Sequence, residues 1–178
     1  MDRVRRALLA LAAVAIAAVA VYWFALRDTS TTTAEAQQSR PVARIGEGKR
    51  VIVVADDGTL LGAASGKKSN LPVLSAKGRP KGDHVRGHVR EEVDVLAAAP
   101  KALRRYIAGA DYGKSGVEVA FDSGIEIRFG DDRGAERKWK AAAAVLADPS
   151  VTKLSYVNVA SPNRPAIHGE EHELPPAS

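Results

Sequence analysis

Two alternating runs near the middle of the chain constrain its fold more than any other feature. Residues 117–121 and 125–129 each alternate apolar with polar or small side chains, which is the period of a half-buried strand. Asp122–Ser123–Gly124 joins them, and glycine accommodates the positive φ that a tight hairpin turn requires. The runs therefore predict a β-hairpin, with Glu118 and Arg128 on its outer face, where opposite charges on paired strands attract each other.

A helix and a further strand are predicted to follow this hairpin. Apolar residues recur there at the spacing of one helix face, at Trp139, Ala142, Ala143 and Leu146. Asp131 or Asp132 can cap the helix, because a carboxylate accepts hydrogen bonds from the free N–H groups of the first turn. Asp148–Pro149 ends it, since a residue before proline avoids the α region, and a strand is predicted from about Val151 to Ala160. Together these elements form an α+β layer without an active-site motif.

The run Ala7–Leu26 contains twenty residues and no charged side chain. A helix of this length is ~30 Å long, which matches the hydrocarbon core of a bilayer. Three arginines precede the run, and Tyr22, Trp23 and Phe24 lie at its far end, where aromatic rings prefer the membrane interface. We therefore expect an uncleaved signal anchor at 7–26, with residues 1–6 in the cytoplasm and the rest of the chain outside.

A cleaved signal peptide is the alternative interpretation of the same segment. Ala34–Glu35–Ala36 has the small-x-small pattern of a cleavage site, which would leave Gln37 as the mature N-terminus. The apolar core of a signal peptide is only ~7–15 residues long, however, and the run here is longer. The anchor also accounts for much of the positive charge, since residues 1–27 hold four Arg and one Asp out of a formal net charge of +5. The basic composition therefore gives little support for nucleic-acid binding.

The remaining chain is divided by composition into a linker, one domain and a tail. Residues 27–48 are rich in Thr, Ser, Gln and Ala and predict a flexible linker. The domain is predicted over 49–167, beginning with a hairpin around Asp56–Asp57–Gly58 and continuing through a helix marked by Val89, Val93 and Leu96. Residues 109–115 are predicted to be a connecting segment and 168–178 a disordered tail. The predicted class is α+β: a single N-terminal transmembrane helix, then a mixed or antiparallel β-sheet domain with two to three helices.

No set of residues in the sequence indicates catalysis, a cofactor or a metal. The chain has no cysteine, so thiolate sites and disulfides are excluded. His84 and His88 lie near Glu91 and Glu92, but a zinc site needs a third ligand in place, and a solvated loop is the simpler interpretation. His168 and His172 flank two glutamates in the predicted tail, but a metal site there would need an ordered tail, so we expect none. No serine has the context of a hydrolase nucleophile, so we expect a non-enzymatic protein that binds neither a cofactor nor a small-molecule substrate.

Protein binding remains as the expected activity, and the last predicted strand is the expected place for it. Residues 154–160 form the last strand of the predicted domain, so we expect them at a sheet edge; an edge that is covered or twisted away is the alternative. Edge strands present unpaired N–H and C=O groups with which a strand from another chain can pair.

In the order of its motifs the chain resembles the FtsQ/DivIB family of bacterial cell division proteins. The resemblance rests on the anchor, on VADDGTLLG (54–62), LPVL (71–74) and GVEVAFDSGIEIRFGDD (116–132), and on Lys138 and KLSYVNVASPNRPAI (153–167). It covers roughly residues 51–166 and the anchor. The sequence departs from the family pattern in two ways: residues 28–48 are too short for the usual POTRA domain, and Asn158 and Ala160 replace the usual acidic and basic residues.

The resemblance implies a bitopic scaffold at the division septum of the plasma membrane, with the C-terminal domain outside the cytoplasm. It implies FtsB/DivIC-like and FtsL-like division proteins as partners, one of which adds a strand beside the last β-strand. The docking region that it implies comprises Tyr156, Asn158, Ala160, Ser161, Pro162, Arg164, Pro165 and Ala166. A secreted or membrane-anchored envelope binding module unrelated to division is the alternative.

Overall fold

The computed structural model describes residues 39–46, 51–63, 70–76, 80 and 82–174. The predicted cytoplasmic end 1–6, the predicted anchor 7–26 and the cleavage motif at 34–36 lie outside these ranges, as do most of the predicted linker and residues 175–178. Within the described ranges, no helix is long and apolar enough to cross a membrane.

One mixed sheet carries all the strands of the described ranges. The strands are β1 (Pro41–Ile45), β2 (Ile52–Ala55), β3 (Leu60–Ala63), β4 (Val73–Leu74), β5 (Ile107–Gly113), β6 (Gly116–Phe121), β7 (Glu126–Gly130), β8 (Lys153–Asn158) and β9 (Ala166–Glu173). The helices are α1 (His88–Ala97) and α2 (Ala135–Leu146), and a short 3-10 turn spans Arg104–Tyr106. The strand order is β3-β2-β1-β4-β5-β6-β7-β8-β9, so from β4 onward each new strand is added beside the one before it.

The two helices connect parallel neighbours in this sheet. β4 and β5 are parallel and are connected through α1, and β7 and β8 are parallel and are connected through α2. Parallel strands cannot be joined by a tight turn, so the chain must cross over a face of the sheet between them. The helices meet there, because the indole Nε1 of Trp139 in α2 donates to the carbonyl of Val95 in α1 at 2.8 Å.

The core lies between the helices and one face of the sheet. Trp139 is fully buried, and its ring packs on Phe129 of β7 with 4.9 Å between ring centroids. The inward residues of the central strands are likewise buried, namely Val117, Val119, Phe121, Ile127, Phe129 and Val157. The opposite face carries polar side chains, and we call it the polar face: Glu118, Glu126, Arg128, Tyr156, Asn158 and His168.

The predicted central hairpin is confirmed. β6 and β7 are antiparallel with Glu118 opposite Arg128, and Gly124 in the turn has φ +92°. The predicted helix cap is wrong: Gly134 occupies the cap position without a side-chain hydrogen bond. Asp131 instead accepts from Lys138 Nζ at 2.5 Å, and this buried lysine also donates to the carbonyls of Phe129 and Asp131, each at 3.0 Å.

Three strands lie where the sequence predicted none. β1 lies inside the predicted linker 27–48, β5 includes most of the predicted connecting segment 109–115, and β9 occupies the start of the predicted disordered tail 168–178. Irregular pairing contributes to the errors, because the register shifts within each of these strands' pairings and so interrupts strict alternation. β9 in addition has the sequence AIHGEEHE, which contains few apolar residues, and it is exposed along most of its length.

Candidate partner-docking edge

The strand that was predicted to form the edge, residues 154–160, lies inside the sheet. β8 pairs with β7 in parallel on one side and with β9 antiparallel on the other. Both of its backbone edges are therefore occupied, and the prediction of an open edge at β8 is wrong. The reason is the turn after Pro162, closed by the Arg164 N–H donating to the carbonyl of Ser161 at 2.9 Å, which returns the chain alongside β8.

β9 is the edge strand at this end of the sheet, because within the described residues it pairs with β8 alone. All its side chains are exposed except that of His172, which is half-buried. Ile167 keeps 52% of its surface exposed although it lies opposite the fully buried Val157. An apolar side chain beside unpaired backbone groups is the combination that an added strand from another chain can cover.

A bulge divides β9 into two halves. The register with β8 shifts between Leu154 and Tyr156, where Gly169 takes φ +76°. A Cβ at Gly169 would lie only 1.8 Å from Ser155 Oγ, so no larger residue fits there without a shift of the backbone. The first half carries Ile167 and His168, and the second half carries three glutamates, Glu170, Glu171 and Glu173.

The predicted docking residues lie together in one corner of the sheet, in three different settings. Tyr156 and Asn158 are half-buried residues of β8 on the polar face, opposite His168 and Ala166. Residues 160–165 form the connection to β9, and Asn158 Oδ1 accepts from the Ala160 N–H at 3.0 Å. Ala166 is the first residue of β9. Only Ala166 among the predicted set belongs to the edge strand itself.

Tyr156 is the centre of a stack that runs across three strands. The Arg128 guanidinium lies 3.7 Å from the centre of the Tyr156 ring, and the His168 ring stacks on the other side at 5.1 Å. Arg128 also pairs with Glu126, with Nη2 to Oε2 at 3.0 Å, and approaches Glu118 at 4.0 Å. A cation over an aromatic ring is attracted by the ring's electrons, so the stack holds β7, β8 and β9 together on the polar face.

The sequence did not predict the strand residues that follow Ala166, above all Ile167 and the three glutamates of β9. The signal was present in the proline-rich turn 161–165 after a strand, because a turn there sends the chain back beside β8. The opposite end of the sheet offers a second edge at β3, where Leu61 is exposed by 46%. Part of that edge is covered, since the Leu60 N–H donates to the carbonyl of Asp83 at 2.7 Å.

The histidines form no metal site in the described part of the chain, where no group of three or more suitable ligands occurs. His84 Nε2 lies 3.1 Å from Thr59 Oγ1, and His88 stacks on Tyr112 and contacts Glu91 at 3.3 Å. Near them, Glu92 is buried, and its Oε2 has no hydrogen-bond partner among the described residues. Burial, with smaller contributions from the negative charges of Asp111 and Glu91, raises the pKa of Glu92 to about 7.

Comparisons with known proteins identify a family and a structural relative. A family model described as "Cell division protein FtsQ/DivIB, C-terminal" matches residues 43–160. This range covers β2 to β8 and most of β1, and ends before β9. Among solved structures, the chain is similar to the major extracytoplasmic domain of the trans isomer of the bacterial cell division protein DivIB from Geobacillus stearothermophilus. The similarity has a TM-score of 0.37 and 20% identity, and covers 50% of this chain and 76% of that one. The comparison with curated proteins gives no match.

Proposed function

The chain belongs to the FtsQ/DivIB family of cell division proteins, and from this premise we propose that it is a bitopic membrane scaffold of the division machinery. In this proposal it catalyses no reaction and acts by holding other septal membrane proteins. Its family membership and the absence of a catalytic motif in the sequence support this role.

The proposed anchor is the apolar run Ala7–Leu26, with the N-terminus in the cytoplasm and the domain outside. Because β1 begins at Pro41, the tether between anchor and domain is shorter than the sequence predicted. Edman sequencing of the protein from membranes tests this step: an N-terminus at Met1 or Asp2 supports the anchor, whereas one at Gln37 contradicts it.

We propose β9 as the docking edge for an FtsB/DivIC-like protein, with an FtsL-like protein in the same assembly. The observation that carries this proposal is the position of β9 at the end of the sheet, with Ile167 half exposed beside it. A partner strand added there extends the sheet by one strand and covers Ile167. The previously predicted residues Tyr156 and Asn158 then act from β8, by holding β9 in position, and residues 160–166 border the docking edge.

The two exposed aliphatic side chains at opposite ends of the sheet provide a matched test. Ile167→Ser removes the apolar side chain from β9, and Leu61→Ser makes the corresponding change on β3. Both side chains are about half exposed, so each change should alter the free energy of unfolding by only about 1 kcal/mol.

We expect Ile167→Ser to reduce co-purification of the co-expressed FtsB/DivIC-like protein of the same organism by about fivefold to tenfold. Leu61→Ser should leave co-purification unchanged. Equal loss in both variants, or loss in Leu61→Ser alone, would contradict docking at β9.

A further inference from the structure

The second half of β9 is an acidic strip on the edge of the sheet. Glu170, Glu171 and Glu173 are all exposed, and within the described residues none of them forms an ion pair with a lysine or arginine. Glu171 Oε2 lies 3.9 Å from the Nε2 atom of the neighbouring His172. Lys153 lies opposite Glu173 in the register but forms no ion pair with it in this part of the chain. Three carboxylates are therefore available to a partner.

The first half of β9 has a different chemistry. Ile167 is an exposed aliphatic side chain, and on the polar face His168 ends the stack with Tyr156 and Arg128. The docking edge thus changes along its length from apolar and aromatic to acidic. A strand that pairs with all of β9 must match both halves.

The net charge of the domain also differs between its two halves, and the half that contains β9 is the more negative one. Residues 39–110 contain 14 basic residues (Lys and Arg) and 7 acidic residues (Asp and Glu). Residues 111–178 contain 8 basic and 11 acidic residues. Because β4 to β9 follow chain order in the sheet, the acidic part of the sequence supplies β6 to β9 at one end of it. The edge glutamates therefore lie in the negatively charged half of the domain, whose field attracts a cationic segment to this edge.

We propose that the partner strand is basic: an extended segment with an apolar residue against Ile167 and lysine or arginine residues against Glu170, Glu171 and Glu173. This inference rests on the proposed docking at β9 and adds the chemistry of the partner. Complementary charge at an edge fixes register and excludes acidic strands, because like charges placed opposite each other repel. The same glutamates also prevent two copies of β9 from pairing with each other.

Short fluorescent peptides test the proposal with the full-length chain in detergent micelles. Three peptides share one sequence of Val and Thr, and in each the three positions opposite Glu170, Glu171 and Glu173 are all Thr, all Lys or all Glu. Binding is followed by fluorescence anisotropy at low and high salt, and hydrogen exchange of the β9 amides locates the bound peptide. The chain variants are the triple change Glu170→Gln, Glu171→Gln and Glu173→Gln, and the control Glu136→Gln on the exposed side of α2.

We expect the Lys peptide to bind most tightly and to protect β9, the Glu peptide to bind least, and salt to reduce the difference. The triple Gln variant should bind the Lys peptide about tenfold more weakly, since each rim ion pair contributes modestly, and should bind the Thr peptide as before. Glu136→Gln should change none of these affinities.

Two results would overturn the proposal. Equal affinity of the three peptides at β9 would reject a basic partner but leave strand addition standing. If the triple Gln variant self-associates but binds the Lys peptide with unchanged affinity, the glutamates only prevent β9 from pairing with another copy and do not recognise the partner. Docking itself is judged separately by Ile167→Ser and the natural partner, so failure of the two proposals can be distinguished.

Discussion

At the scale of single residues, Glu92 makes the stability of the domain depend on pH. Its pKa is about 7 in the folded protein and near its ordinary value of 4.5 in the unfolded chain. The folded state therefore binds the proton more tightly, so stability falls as pH rises from about 4.5 to 7 and then levels off. Asp57, Asp131 and Asp148 have lowered pKa values and contribute in the opposite direction, but only in the acidic range below their ordinary values.

Glu92→Gln should remove this pH dependence. We expect the wild-type protein to be less stable at pH 8 than at pH 5.5 by on the order of 1–3 kcal/mol, and the variant to lose most of that difference. Urea denaturation at the two pH values measures it. Glu136→Gln, an exposed glutamate of α2, is the control and should retain the wild-type difference. An unchanged pH dependence in Glu92→Gln would show that Glu92 is ionised without cost in the folded protein.

Lys138 connects α2 to the end of β7 through hydrogen bonds. Its ammonium group donates to two backbone carbonyls and to Asp131, and the side chain is 6% exposed. Lys138→Met keeps the aliphatic stem but removes these donors, which should lower the free energy of unfolding by about 1–3 kcal/mol. Lys140→Met on the exposed side of the same helix should cost less than about 0.5 kcal/mol. Similar effects of the two changes in chemical denaturation would contradict a structural role for Lys138.

At the scale of elements, Gly169 determines whether β9 remains paired with β8. Gly169→Ala places a Cβ against Ser155 Oγ at a positive φ, whereas Gly62→Ala on β3 has a similar φ of +92° with no atom within 4 Å. We expect faster hydrogen exchange along β9 in Gly169→Ala and only the backbone cost of about 1 kcal/mol in Gly62→Ala. Ser155→Gly should partly restore protection in the Gly169→Ala background. Equal effects of the two alanine substitutions would mean that backbone strain alone is responsible.

The elements also show how far the sequence predicts the fold. The β6–β7 hairpin and α2 were predicted because each buries one face, which imposes a regular pattern of apolar residues. β5 was missed because its sequence is IAGADYG, in which small residues and a register shift hide the alternation. β9 was missed because it buries little apolar surface and therefore shows no alternating pattern of apolar residues. It is a strand because its backbone pairs with that of β8.

The predicted docking residues lie in the same corner of the sheet as the proposed docking edge, but most of them belong to β8 and its connection to β9. Tyr156 and Asn158 were chosen as residues of the last strand, whereas the chain adds one more strand beyond them. The open edge is a property of the assembled sheet, because it depends on which strand is left without a neighbour. The stack of Arg128, Tyr156 and His168 likewise depends on register across three strands, so the sequence alone did not indicate it.

At the scale of the whole molecule, the proposed function requires a membrane anchor and a domain whose sheet ends in a docking edge. A photo-crosslinking amino acid in place of Ile167 or of Leu61 tests docking at β9 in dividing cells, because both positions are about half exposed. The central claim predicts a crosslink to the FtsB/DivIC-like protein from position 167 and none from position 61. A crosslink from position 61 alone, or none from position 167 while both proteins are present at the septum, would contradict it.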